Sequence, residues 1–218
     1  MGSQPDRSAS RTDKLRVGVL LSGSGRTLQN LLDLAASGEL PIRIEIVIAS
    51  RPDAYGLERA KAAGVPTCVV ERRGTSTDAF SARITEALVA ARVELVCLAG
   101  FLSLWHVPPA FIGKVMNIHP ALLPRFGGKG FHGRHVHRAV LAAGCEESGC
   151  TVHFADNEYD HGPIIVQRTV PVLDDDTEET LAARVFAEEL IAFPDAIRWF
   201  AENRLRIEGN RVRVLPPL

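Results

Sequence analysis

Cysteine is scarce in this chain and long apolar runs are missing, and each shortage closes off a class of protein. The four cysteines, Cys68, Cys97, Cys145 and Cys150, show no Cys-x-x-Cys spacing. They indicate neither a zinc ribbon nor a disulfide scaffold, and a reducing, cytoplasmic setting is the default. No apolar stretch reaches membrane-spanning length. The polar, mixed-charge stretch Met1 to Lys14 lacks the apolar centre of a secretion signal and reads as a disordered tail or an added remnant. Myristoylation at Gly2 is rejected because Asp6 stands where that motif wants Ser or Thr. Neither sign of charge dominates: 25 Lys and Arg against 26 Asp and Glu give a formal net charge of -1. No global field therefore draws the protein to nucleic acid or to a membrane, although a local basic site for a small anionic metabolite stays open. What 218 residues with 46% hydrophobic content do supply is one substantial core.

Hydrophobic periodicity organises that core. Leu15 to Leu21 is a short β-branched run, followed by Ser22-Gly23-Ser24-Gly25 and then by Leu28, Leu31, Leu32 and Ala35 at helical spacing. The pattern repeats as a strand from Ile42 to Ala49, a helix from Tyr55 to Ala63, a strand from Thr67 to Val70, a helix from Thr77 to Ala91 and a strand from Val93 to Leu98. Alternation of this kind predicts parallel strands joined by right-handed crossovers, a Rossmann-like α/β half. After a further strand, Val115 to His119, the character changes. A glycine- and histidine-rich loop from Arg125 to His137 is expected, then a short helix from Arg138 to Ala143 and strands at Thr151 to Phe154 and Ile164 to Val172. A long helix should start at Thr177, favoured by Glu178 and Glu179 in its first turn, and break or kink at Pro194. Leu205 to Glu208 and Arg211 to Val214 flank Gly209-Asn210 as a two-residue hairpin.

The chemistry concentrates at the end of the fifth strand. In Asn117-Ile118-His119-Pro120 the strand period puts the amide and the imidazole on one face, and Pro120 stops the strand there. In parallel sheets ligands collect outside the carboxyl ends of strands. Asn117 can donate toward a developing oxyanion, and His119 can donate or move a proton near neutral pH, a pairing suited to acyl transfer. The plainer reading is a turn-capping Asn and a hydrogen-bonded core His. Asp160, in a turn between two strands, would favour the imidazolium form of His119 and raise its pKa if the fold brings the two together. His153 would face away from Val152 and Phe154 and could join the same cluster, or simply bond a buried carbonyl. The loop Ser22 to Thr27 offers backbone N–H groups and a helix N-terminus for phosphate, with Arg26 adding a cation. A dinucleotide fingerprint is poorly matched, since Leu28 replaces the third glycine and Ser50-Arg51 the acidic residue. Gly127-Gly128-Lys129-Gly130 lacks the Walker spacing and reads instead as a loop over a cleft, with Lys129 able to reach an anion. His132, His135 and His137 lie close together, but no His-Glu-x-x-His or Cys/His quartet appears, so no catalytic metal is expected.

Taken together, Ser22-Gly23-x-Gly25, Leu98-Ala99-Gly100-Phe101-Leu102, Asn117-x-His119-Pro120-x-Leu122-Leu123-Pro124 and Asp160-x-Gly162-Pro163 resemble the folate-dependent formyltransferases, over about Leu15 to Leu205. The compact length and an early first strand favour the purine-synthesis branch over relatives with extra domains. The resemblance implies a nucleotide-binding half, about residues 15–114, and a catalytic and folate-binding half, about residues 115–218. It implies formyl transfer from 10-formyltetrahydrofolate, a cosubstrate rather than a tightly bound cofactor, to the amino group of 5-phosphoribosylglycinamide, with no metal. Asn117, His119 and Asp160 would be catalytic, with His153 in support. Gly25, Arg26 and Thr27 would bind the substrate phosphate, Glu189 its ribose, and Leu102, Ser103, Leu104 and Trp105 the pterin. The family commonly carries Ser-Asn at Arg26-Thr27 and Met-Arg at Leu102-Ser103, so these contacts would be made differently here. Three rivals are a formyltetrahydrofolate hydrolase, which usually bears an N-terminal regulatory domain, a methionyl-tRNA formylase, which needs a C-terminal nucleic-acid-binding region, and a non-catalytic module sensing a phosphorylated metabolite. The sequence leaves monomer and homodimer both open.

Overall fold

The computed structural model describes residues 14–217. The expected tail therefore lies outside the described residues, Lys14 apart. A single nine-stranded sheet runs through the chain in the order β3-β2-β1-β4-β5-β6-β7-β9-β8. Its first strands are β1 (Leu15–Leu21), β2 (Ile42–Ala49), β3 (Thr67–Val69), β4 (Leu95–Leu98) and β5 (Val115–His119), all paired in parallel. The helices α1 (Arg26–Ser37), α2 (Gly56–Ala62) and α3 (Thr77–Ala90) make the crossovers. Central β1 has Val17, Val19, Leu20 and Leu21 fully buried, as a strand covered on both faces requires. Leu28, Leu31 and Leu32 of α1 pack on one face of the sheet, while Phe80, Ile84 and Leu88 of α3 pack on the other. Each such large side chain contributes about 1.5–3 kcal/mol by leaving water.

From β5 onward the pairings are antiparallel except for the parallel contact of β7 with β9. β6 (Glu147–Phe154) pairs antiparallel with β5 and with β7 (Ile164–Pro171), and the hairpin β8 (Leu205–Glu208) and β9 (Arg211–Val214) closes the edge. Between β5 and β6 stands α4 (Arg134–Ala142), and after β7 comes α5 (Glu178–Ala201), with Thr177 and Thr180 forming a reciprocal cap at its start. The mostly parallel α/β sheet with a terminal hairpin is the fold expected.

Besides β4, which starts at Leu95 and not at Val93, two boundaries and one expected break differ from expectation. The fourth helix begins at Arg134, immediately after Gly133, so His135 and His137 are helical and not in the loop. Strand β6 begins at Glu147 and not at Thr151, because β7 is long enough to pair Glu147 with Pro171 and carry the ladder past Ser148 and Gly149. α5 runs unbroken through Pro194. Proline leaves the carbonyl four residues earlier without its N–H partner. Here Asn30 of α1 donates its side-chain Nδ2 to that Leu190 carbonyl at 2.9 Å.

Candidate active site

Strand order reverses between β1 and β4, and the crevice outside the strand ends at such a switch point is where a doubly wound sheet has room for a ligand. A cavity of about 780 Å³ occupies it. Its walls come from the loop after β1 (Gly23 to Thr27), the loop after β4 (Ala99 to Leu102), the end of β5 (Asn117 to Pro120), Gly128 to Arg134, Asp160 and one side of α5. Ser22 ties two of these loops together: its Oγ accepts from the Leu102 N–H at 3.0 Å and shares a 2.7 Å hydrogen bond with Ser50 Oγ.

At one end of the cavity the amide, the imidazole and the carboxylate meet. The antiparallel register places Asn117 opposite His153. His153 Nδ1 lies 2.9 Å from the Phe154 carbonyl, which can only accept, so Nδ1 carries a proton and, in the neutral ring, Nε2 is the acceptor. That fixes Asn117, whose Nδ2 group donates to His153 Nε2 at 3.1 Å and to Asp160 Oδ1 at 3.1 Å. His153 thus fills both roles foreseen for it, bonding a buried carbonyl and joining the cluster. Asp160 sits in the left-handed region (φ 55), which Asp tolerates better than most residues, and its Oδ2 accepts the Gly128 N–H at 2.9 Å. His119, buried, has Nε2 2.8 Å from the Phe126 carbonyl and Nδ1 3.4 Å from Asp160 Oδ2. Phe126 also adopts a positive φ, which turns its carbonyl onto the ring.

Charge follows from these contacts. Burial raises the Asp160 pKa, but His153, the His119 ring and the Gly128 amide outweigh it, and the carboxyl ends below its ordinary value. For His119 Asp160 acts in the expected direction, but the net shift is downward. Burial lowers its pKa, Asp160 and the Phe126 carbonyl restore only part of the loss, and His153 lowers it further. The ring is therefore neutral at neutral pH, with Nε2–H directed at Phe126 and the Nδ1 lone pair beside Asp160.

The other end of the cavity is built on the start of α1. Gly25 has φ 69, and a Cβ there would come within 2.6 Å of Gly56 Cα, so only glycine allows the loop to pack against α2. No side chain caps α1, which leaves its first N–H groups facing the cavity edge. Arg26 and Thr27 line the same wall. Glu189 lines it too, with part of its surface open. The atoms packed around its carboxyl raise the pKa to about 7, against the pull of Arg26.

Of the four residues expected at the pterin, only Leu102 lines the cavity. Trp105 is in the core, edge-on to Phe111 with Nε1 donating to Thr85 Oγ1 at 3.3 Å, so its ring is a packing element. Ser103 and Leu104 are not among the lining residues, whereas Phe101 is. Sequence reasoning missed Phe186, which shares a face of α5 with Glu189 three residues on, a spacing that could have found it. It also missed Thr151, whose Oγ1 donates to Ala121 O at 2.6 Å and accepts from Leu123 N at 3.1 Å, bracing the turn after His119. Lys129 lines the cavity as its loop position suggested, and so does His137, whose buried Nδ1 has no partner. Among the described residues no group of three or more His, Cys, Asp or Glu side chains is placed to hold a metal ion, and no helix is long and apolar enough to cross a membrane.

In the order of its strands and in where its polar groups gather, the molecule is a Rossmann-like α/β protein with a polar cleft at the switch point of its sheet. More narrowly, the chain belongs to the formyl transferase family, whose sequence model matches residues 15–197. It is 38% identical over 198 residues to phosphoribosylglycinamide formyltransferase of Haemophilus influenzae, spanning 89% of this chain and 91% of that protein. It is 41% identical over 203 residues to the trifunctional purine biosynthetic protein adenosine-3 of Drosophila melanogaster, spanning 88% of this chain but 15% of that longer protein. The crystal structure of glycinamide ribonucleotide transformylase 1 from Symbiobacterium toebii superimposes with a TM-score of 0.87 at 48% identity, covering 93% of this chain and 95% of that one.

Proposed function

We propose that the protein transfers the formyl group of 10-formyltetrahydrofolate to the amino group of 5-phosphoribosylglycinamide, the third step of de novo purine synthesis, in the cytoplasm and without a metal or a tightly bound cofactor. The observation that carries this reading is the contact of Asn117, His119 and Asp160 at one end of a cavity whose other end is an uncapped helix N-terminus with a free guanidinium. A cavity lined by both groups suits a ligand with a reactive amine at one terminus and a phosphate at the other. Residues of the first half, Gly25, Arg26 and Thr27, hold the phosphate. Glu189 meets the ribose. The second half carries the reacting groups, and the loop at Leu102 meets the pterin.

The amine attacks the formyl carbon, and the carbonyl electron pair moves onto oxygen to give a tetrahedral intermediate. His119 enters as a base. Its Nδ1 lone pair takes the amine proton, and the imidazolium so formed lies against Asp160, which stabilises it. As Asp160 turns to that new charge, an Asn117 N–H is released toward the oxyanion. Collapse of the intermediate breaks the bond between carbon and the folate nitrogen, which takes the proton back from His119. Atoms and charge balance with no covalent enzyme intermediate.

The test is deformylation of 10-formyltetrahydrofolate followed with and without the phosphorylated amine. Turnover that depends on the amine supports transfer. Equal turnover without it would make the protein a hydrolase, and no turnover in either case would leave only a binding module.

A further inference from the structure

We infer that Phe186 is a positioning residue for substrate, its ring serving as the platform that holds the Arg26 guanidinium edge-outward at the phosphate end of the cavity. The inference rests on the reading of Arg26 as a phosphate contact and extends it to a residue that neither the glycine loop nor the catalytic cluster contains.

Arg26 is the first residue of α1, and its guanidinium carbon lies 4.0 Å from the centroid of the Phe186 ring. Among the described residues its guanidinium makes no hydrogen bond and no salt bridge. Stacking uses the flat face of the guanidinium and leaves the N–H groups of its edge unspent, the group that meets a phosphate monoester with two parallel hydrogen bonds. A long, flexible side chain would otherwise sample many rotamers from the helix start. Phe186 stands on α5 three residues before Glu189, so one helix face presents first the platform and then the acid, both in the cavity wall. Arg26 also acts on the Glu189 carboxyl, so the cation that lies over the ring is within electrostatic reach of the acid. The ligand class is a phosphate monoester, and the ring's contribution is to its binding and not to the reacting atoms.

The experiment measures KM for the phosphorylated amine, kcat, and competitive inhibition by inorganic phosphate in Phe186→Leu, Phe186→Tyr, Arg26→Ala and the double variant Arg26→Ala/Phe186→Leu. Leucine keeps an apolar side chain but no π face. Phe186→Leu is expected to raise KM and the phosphate inhibition constant roughly fivefold to tenfold, the size of a partly desolvated cation–π contact, with kcat within about twofold. Tyrosine restores both constants, and the double variant is no worse than Arg26→Ala alone. If Arg26→Ala raises KM but Phe186→Leu does not, the platform is overturned while the phosphate reading stands. If Arg26→Ala changes neither constant, both fall together. A drop of kcat in Phe186→Leu with KM and the phosphate inhibition constant unchanged, unrescued by tyrosine, would assign the ring to packing alone and also overturn the proposal.

Discussion

At the scale of single residues, the site is decided by which atoms can donate. The Phe154 carbonyl sets the proton on His153, His153 sets the orientation of the Asn117 amide, and that amide holds one oxygen of Asp160. The other oxygen is held by Gly128 and faces His119. Replacing Asp160 by Asn keeps the shape and removes the charge. The His119 pKa, already lowered by burial, loses the one neighbouring charge that raises it. The imidazolium formed during transfer then has no counter-charge. We expect Asp160→Asn to cut kcat by about 10²- to 10⁴-fold, the range for a general acid–base group, while KM for both substrates and the urea midpoint stay close to wild type. Activity within a few-fold of wild type would remove Asp160 from the reaction. The residue identities of this cluster were legible, because the strand period alone aligns Asn117 with His119 and sets His153 apart from its neighbours. The sign of the His119 shift was not legible. It depends on how completely Val115 to His119 is covered on both faces, and that is a property of the packed sheet.

At the scale of elements, the first half was readable almost to the residue, since β1, α1 and β2 are each defined by a hydrophobic pattern that no neighbour overrides. The second half was less so, and each miss has a tertiary cause. The start of α4 was hidden among glycines and histidines, and the start of β6 needed the register against β7, Glu147 opposite Pro171, because Ser148-Gly149 carries no strand pattern of its own. Pro194 in α5 is the most instructive. Its lack of an N–H is a local rule, but the remedy comes from Asn30, 160 positions from Leu190 in the chain. This accounts for a helix that neither sequence segment could foretell. Deleting the donor with Asn30→Ala should leave a carbonyl without a partner and cost about 1–2 kcal/mol in urea unfolding. The same change in a Pro194→Ala background should cost less than half as much, because residue 194 then supplies the missing N–H. An equal cost in both backgrounds would mean that Asn30 acts through something other than the Leu190 carbonyl.

At the scale of the whole molecule, the cavity makes the fold's stability depend on pH, with contributions of opposite sign. His119 and His137 are both buried, and burial lowers both pKa values from 6.5, with the charge of His119 lowering that of His137 further. Below 6.5 the unfolded chain takes up protons that these native rings refuse, so stability is lost as pH falls through the window between 6.5 and their lowered values. Glu189 opposes this. Its native carboxyl titrates at about 7 against an ordinary 4.5, so it takes up a proton that the unfolded chain refuses, and stability is gained as pH falls through that interval. His161, raised by its exposed pairing with Asp156, acts weakly in the same direction as Glu189. The wild-type slope is a sum of these terms and by itself assigns none of them, so a difference between proteins is the informative measurement. His137→Gln removes one depressed ring, and its removal flattens the loss on acidification. Unfolding free energies from urea at pH 7.5, 6.5 and 5.5 should therefore show the variant losing less stability than wild type across the lower interval, with the two curves parallel above 7. Curves that stay parallel down to pH 5.5 would show that the buried His137 imidazole, whose Nδ1 has no partner, is not resisting protonation at all.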